Sequence, residues 1–134
     1  MGLPIGWTEG KFKSFIMSQL RSATLKYPPK HQMLKAHRIR RGFYMCAGCK
    51  EEVPASIVDE KGSRVKNNFV DHIEPVIDPH EGFVSWDSVI HRMFNLGYED
   101  PCDGYQVLCR ECHTEKTKKE NEERKIARAR LKNT

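Results

Sequence analysis

Two Cys-x-x-Cys pairs, Cys46-Ala47-Gly48-Cys49 and Cys109-Arg110-Glu111-Cys112, constrain this chain more than anything else in it. Each pair can grip a tetrahedral ion from one turn, and two such grips close a four-thiolate zinc site. The rival for a single pair is a redox motif, which needs a βαβ setting that is missing here. Fifty-nine residues separate Cys49 from Cys109, well beyond the spacer of a simple zinc ribbon. An insertion therefore lies between the knuckles, and any activity is expected there. Gly48 is expected to permit the tight turn of the first knuckle. Cys102 belongs to neither pair and reads as an ordinary thiol.

A metal staple suits the size of the chain. With 134 residues and a hydrophobic fraction of 38%, one domain with a thin core is expected. No apolar run is long enough for a signal segment or a membrane span, so the expectation is a cytoplasmic protein with reduced thiols and no membrane partner. Net charge is +5, but its distribution says more. From Lys11 to Arg41 there are nine Lys or Arg and no acid, whereas from Lys50 to Asp103 five basic residues face twelve acidic ones. After His113 eight Lys or Arg stand against four Glu. Basic flanks around an acidic centre suggest a polyanion held by the flanks, with carboxylates available between them. A solvated helical surface is the plainer alternative.

The periodicities predict an α+β chain. Residues 1–10 read as a flexible arm, with Thr8 as a possible cap. Phe12, Phe15, Ile16, Leu20 and Ala23 form an amphipathic stripe ending near Tyr27. Pro28-Pro29 opens a second helix carrying Met33, Leu34, Ala36 and Ile39 inward and Lys35, Arg38, Arg40 and Arg41 outward. These helices form either a positive clamp or simply part of a small core. Short extended pieces are expected around Val53 and Ile57, with a turn at Lys61-Gly62-Ser63. A strand follows at Phe69-Val70, ended by Pro75. Ser85 or Asp87 starts a helix with Trp86, Val89, Ile90, Met93, Phe94 and Leu96 inward and Gly97 as its C-cap. His80 and His91 are candidate ligands by residue type only. Tyr105-Gln106-Val107-Leu108 reads as a strand, and helix is expected from Cys109 into a charged tail. On a helix neighbours are about 100° apart, so with Cys112 on a zinc, His113 faces elsewhere and a second ion is what it would meet.

Val70-Asp71-His72-Ile73-Glu74-Pro75 followed by Tyr105-Gln106-Val107-Leu108-Cys109-Arg110-Glu111-Cys112-His113-Thr114-Glu115-Lys116-Thr117 resembles the HNH endonucleases, the ββα-metal nucleases, in their zinc-knuckle branch. The overall plan is similar to that of small phage-encoded members. The resemblance implies a nuclease core over 43–121; residues 1–42 and the helical insertion at about 76–102 lie outside the common motif, and the residue pattern adds a basic helical extension at 11–42 and a charged helical tail at 122–134. The resemblance implies His72 as general base, and Asp71 and His113 as ligands of a divalent ion, Mg²⁺, Mn²⁺ or Ni²⁺. The Asn of the family motif falls on Gly104 with Asp103 beside it, and either Asp103 takes over the bracing role of that Asn or the backbone manages without it. The expected partner is double-stranded DNA, nicked or cut with weak sequence preference. Lys116, Lys118 and Lys119 are expected on phosphates near the site and Lys35, Arg38, Arg40 and Arg41 farther out. A monomer is expected, with phage packaging proteins as possible further partners. The competing expectation is a non-catalytic zinc-ribbon DNA-binding or packaging-adaptor module. One geometric demand remains: successive strand residues point to opposite faces, so Asp71 and His72 serve one site only where the strand ends or twists.

Overall fold

The computed structural model describes residues 2–132; Met1 of the expected arm and residues 133–134 of the expected tail lie outside this range. The first helix, α1, spans Glu9–Thr24. Thr8 Oγ1 caps it, accepting the Lys11 N–H at 3.1 Å, so the helix starts inside the segment expected as an arm. Trp7, just ahead of it, meets Phe15 edge to face at 5.5 Å. Helix α2, Pro28–Ala36, begins at the two prolines, where a missing N–H costs nothing because the first turn leaves its donors unpaired.

The expected helical extension over 11–42 does not run that far. Helix α2 stops at Ala36, and β1 (Arg38–Arg40) turns back antiparallel onto β2 (Phe43–Met45). Ile39 is β-branched and favours extended backbone, and Gly42, at φ +83°, closes a turn that few other residues accept. Arg38 and Arg40 thus lie on a strand rather than a helix. Strand β3, Glu52–Pro54, pairs with β2, so that the first knuckle is the connection of a hairpin. Strands β4 (Ser56–Val58) and β5 (Arg64–Lys66) form a second hairpin. Asp59 Oδ1 holds its turn by accepting the N–H groups of Lys61 and Ser63 at 3.0 and 2.9 Å.

The order that follows is strand, helix, strand, helix, as the periodicity predicts, and the chain is α+β. Strand β6, Phe69–His72, pairs antiparallel with β7, Tyr105–Leu108, placing Phe69 opposite Leu108 and His72 opposite Tyr105. Between them in sequence come α3, Trp86–Met93, capped by Ser85 Oγ, and a 3-10 turn at Pro101–Gly104. Helix α4, Arg110–Lys132, runs on from β7, and the expected tail boundary near 122 falls within it. Buried Asn67 ties the frame together: its Nδ2 donates to the Pro54 carbonyl at 2.9 Å and its Oδ1 accepts the Arg110 N–H at 3.0 Å.

Two apolar clusters make the core. One joins Met17 of α1 to Val89 and Met93 of α3, with Leu20, Val76, Ile77 and Phe94 packed on it. The other surrounds Cys46, Leu108 and Cys109. The stripe of α1 is therefore rotated from its expected position: Met17 and Thr24 are buried, while Phe15 is exposed. On α3, Ile90 is likewise exposed, as is Leu96 beyond its end. The residue with left-handed backbone after α3 is Asn95, at φ +54°, and not Gly97. Asparagine tolerates this region through its short polar side chain, and here that side chain has work to do nearby.

Candidate metal centre and adjoining cleft

The four paired cysteines come together. Their sulfurs all lie within 4.8 Å of one another, against about 3.8 Å expected around a tetrahedral zinc with Zn–S bonds near 2.3 Å. The β2–β3 hairpin delivers Cys46 and Cys49, and the end of β7 with the first turn of α4 delivers Cys109 and Cys112. The Ala47 N–H donates to the Val107 carbonyl at 2.8 Å, fastening the two knuckles side by side. Gly48 is required for a reason other than turn geometry: a Cβ there would lie 2.9 Å from both Cβ and Sγ of Cys112. The left-handed residue of this turn is Lys50, at φ 62°.

The donor set fits a soft-ligand cation such as zinc. Burial works against a thiolate at Cys46, but the N–H groups of Cys109, Cys49 and Gly48 more than offset it and bring the thiol to about 6. The Cys109 N–H stands 3.3 Å from that sulfur. Cys112 is pushed up to about 12 by burial and by hydrogen bonding with Cys109 and Cys46. One thiolate therefore forms readily and further ones resist until a cation compensates their charge.

Asp71 and His72 end β6 beside a cleft of about 180 Å³, which both line together with Arg21, Lys116, Glu120 and Arg124. The pleat sends neighbours to opposite faces, yet both residues line this cleft where β6 ends. Lys116 Nζ lies 2.6 Å from Asp71 Oδ2, 2.6 Å from the His72 carbonyl oxygen and 3.0 Å from Glu120 Oε1. Burial disfavours its charge, but hydrogen bonds to the two carboxylates more than offset this and raise its pKa. These oxygens converge on the Lys116 ammonium, and His113, the other expected ligand of the divalent ion, does not join them.

His72 is held by a single backbone oxygen. Its Nε2 lies 2.6 Å from the Met93 carbonyl, which also accepts the Tyr105 hydroxyl at 3.0 Å. A carbonyl only accepts, so Nε2 carries the proton and the neutral ring keeps its lone pair on Nδ1. Burial is the main cause that lowers its pKa below the ordinary 6.5, against the hydrogen bond to Met93 and the charge of Asp71. The ring is thus neutral at physiological pH.

His113 is on the same face of α4 as Lys116, one turn earlier. Its ring stacks on Phe69, 4.7 Å between centroids and 13° from parallel, and it is not among the residues lining the cleft with Asp71 and His72. Asp103 is exposed, and the side chain that spans its loop is Asn95, only 4% exposed, whose Nδ2 donates to the Pro101 carbonyl at 3.0 Å. It fills the space over Gly104, where a Cβ would come within 2.3 Å of Asn95 Cγ. Among the expected phosphate contacts, Lys116 is engaged by Asp71 and Arg40 pairs with Glu52 at 3.2 Å. Lys35, Arg38, Arg41, Lys118 and Lys119 are exposed. His80 and His91 are exposed too and join no metal cluster among the described residues. Cys102 Sγ approaches the Pro29 carbonyl at 3.3 Å, linking the 3-10 turn to α2.

Sequence reasoning missed Asn95, Glu120, Arg21 and Arg124. Glu120 had a usable signal, standing four residues after Lys116 in the spacing of a helical ion pair. The others depend on contacts between elements distant in sequence. No helix of the described residues is long and apolar enough to cross a membrane. No protein-family model matches the chain, and neither does any curated protein or any solved structure.

Proposed function

We propose that this protein is a metal-dependent endonuclease that hydrolyses phosphodiester bonds of DNA, with His72 as the general base. The observation that carries this reading is the fixed tautomer of His72: Nε2 is committed to the Met93 carbonyl, which leaves a neutral ring whose Nδ1 can take a proton. In the proposed reaction Nδ1 removes a proton from water as the water oxygen forms a bond to phosphorus. The bond from phosphorus to one ester oxygen breaks, and that oxygen leaves with the electron pair and is protonated. On this reading a divalent ion on Asp71 and His113 requires Lys116 to give up Asp71 and the His113 ring to leave Phe69, and it would supply charge compensation for the phosphate and the leaving oxygen. Met93 keeps the base oriented, and the four-cysteine centre would fix the start of α4 to the β2–β3 hairpin. Phosphate contacts alone position without reading sequence, so sequence preference is expected to be weak.

The test is nicking of supercoiled plasmid by wild type and His72→Ala, with Mg²⁺, Mn²⁺ or Ni²⁺ added back after mild chelation. Loss of nicking of about a hundredfold or more is expected for the variant, the size typical of general-base removal, with the fold and the bound zinc unchanged. Equal rates in the two proteins, or no nicking by a folded wild type under any of the three ions, overturn the reading in favour of a DNA-binding module without catalysis.

A further inference from the structure

Two clefts meet at His72, and the cations around them are unevenly partnered. The first is the cleft of about 180 Å³ described above, and the second, of about 330 Å³, is lined by Arg21, Lys30, Val70, His72 and Met93 among others. The carboxylates of the first cleft, Asp71 and Glu120, are both committed to Lys116. Arg21 and Lys30 form no ion pair among the described residues, and Arg124 donates only to Asn121 Oδ1, three residues back on its own helix. Lys30 is half-buried; its burial and the nearby Lys66 both lower its pKa. Asp71 acts on Lys30 in the opposite sense but is itself paired with Lys116, so the half-buried Lys30 is better stabilised once a further anion joins it. These three cations come from α1, α2 and α4, so only the tertiary fold groups them around the candidate base.

We propose that Arg21, Lys30 and Arg124 form a phosphate clamp that holds a nucleic-acid backbone across His72, making the two N-terminal helices part of the substrate site. This rests on the reading of His72 as the base of a phosphodiesterase for its substrate class. The clamp binds phosphates on either side of the reacting one and makes no use of Lys116. It differs from the outlying basic residues Lys35, Arg38 and Arg41 in lining the same clefts as His72.

The test measures binding of a short labelled DNA duplex by fluorescence anisotropy, without added divalent ion, from about 50 to about 200 mM salt. The proteins are wild type, the triple variant Arg21→Gln, Lys30→Gln, Arg124→Gln, and a charge-matched control, Lys26→Gln, Lys61→Gln, Lys125→Gln, at exposed positions lining neither cleft. The clamp variant is expected to weaken binding about tenfold or more and to reduce the slope of log K against log salt by about 2 to 3, near one per phosphate contact. The control is expected to lose clearly less. Arg21→Lys with Lys30→Arg keeps both charges and should retain wild-type binding, which separates lost charge from a disturbed fold. Equal losses in clamp and control variants, or a clamp variant that binds as wild type does, overturn the proposal. A clamp-dependent affinity in a protein that nicks nothing would keep the clamp and remove the nuclease reading, and nicking with clamp-independent affinity would do the reverse.

Discussion

At the scale of single residues, His72 and Gly104 show how much rests on one contact each. Burial lowers the His72 pKa in the folded chain from its ordinary 6.5, so the unfolded chain binds the proton more readily. Between the folded and unfolded values stability therefore rises with pH, is fully present above about 6.5 and is lost as pH falls through that window. Nicking by a base with this pKa should rise along an acid limb below 6.5 and level off towards neutrality, measured as kcat/KM against pH. His72→Ala should remove the His72 contribution to the pH dependence of the melting temperature. Gly104 makes a different demand. A methyl group there would overlap Asn95, so Gly104→Ala should cost about 1 to 3 kcal/mol, the range for overpacking, in urea unfolding. Asn95→Gly in the same chain should recover part of it, since glycine accepts the left-handed backbone. Neither residue is legible from local pattern. His72 stands out by its type beside Asp71, but its orientation depends on a carbonyl 21 positions away, and nothing near Asn95 in sequence marks it as filling the space over Gly104.

Elements supply those distant contacts. Helix α3, which the sequence presents as an insertion, carries Met93, whose side chain is buried against Met17 of α1 and whose carbonyl holds His72. Helix α3, packed on α1, thus holds the end of β6 through the Met93 carbonyl. Tyr27 adds to this hold by donating to the Phe94 carbonyl at 2.7 Å. Truncating the α1 contact with Met17→Ala should destabilise the protein by about 2 to 4 kcal/mol, the usual cost of emptying a buried Met site, read from denaturant midpoints. It should also slow nicking, because Met93 would lose part of what fixes its place. The existence of both helices was legible, as was the Thr8 cap, because capping and amphipathic spacing are local, while between Ser85 and Asp87 only the structure chose Ser85. The inward face of α1 was harder to read, since Phe15 and Met17 are both apolar and only the position of α3 decides which one is covered.

For the whole molecule, the four-cysteine centre joins the β2–β3 hairpin to the start of α4, and the apolar cluster around it is small. Metal should therefore be part of the folding equilibrium. One zinc per chain is expected by elemental analysis. Its removal by a strong chelator should abolish cooperative unfolding in the calorimeter, and zinc added back should restore it. Cys46→Ser should behave as the chelated protein does, because Cys46 is fully buried and accepts the Cys109 N–H. The sequence by itself determined the α+β class, the order of strand and helix from Phe69 onward, and the four cysteines that cluster as a candidate metal site. These rest on periodicity, caps and chelate spacing, which act over a few residues. Only the tertiary structure decided that Arg38 and Arg40 lie on a strand, that Lys116 occupies Asp71 while His113 stacks on Phe69, and that Arg21, Lys30 and Arg124 surround His72. Each of those depends on packing between segments far apart in the chain, where the free energy of a side chain is set by what the fold brings to meet it.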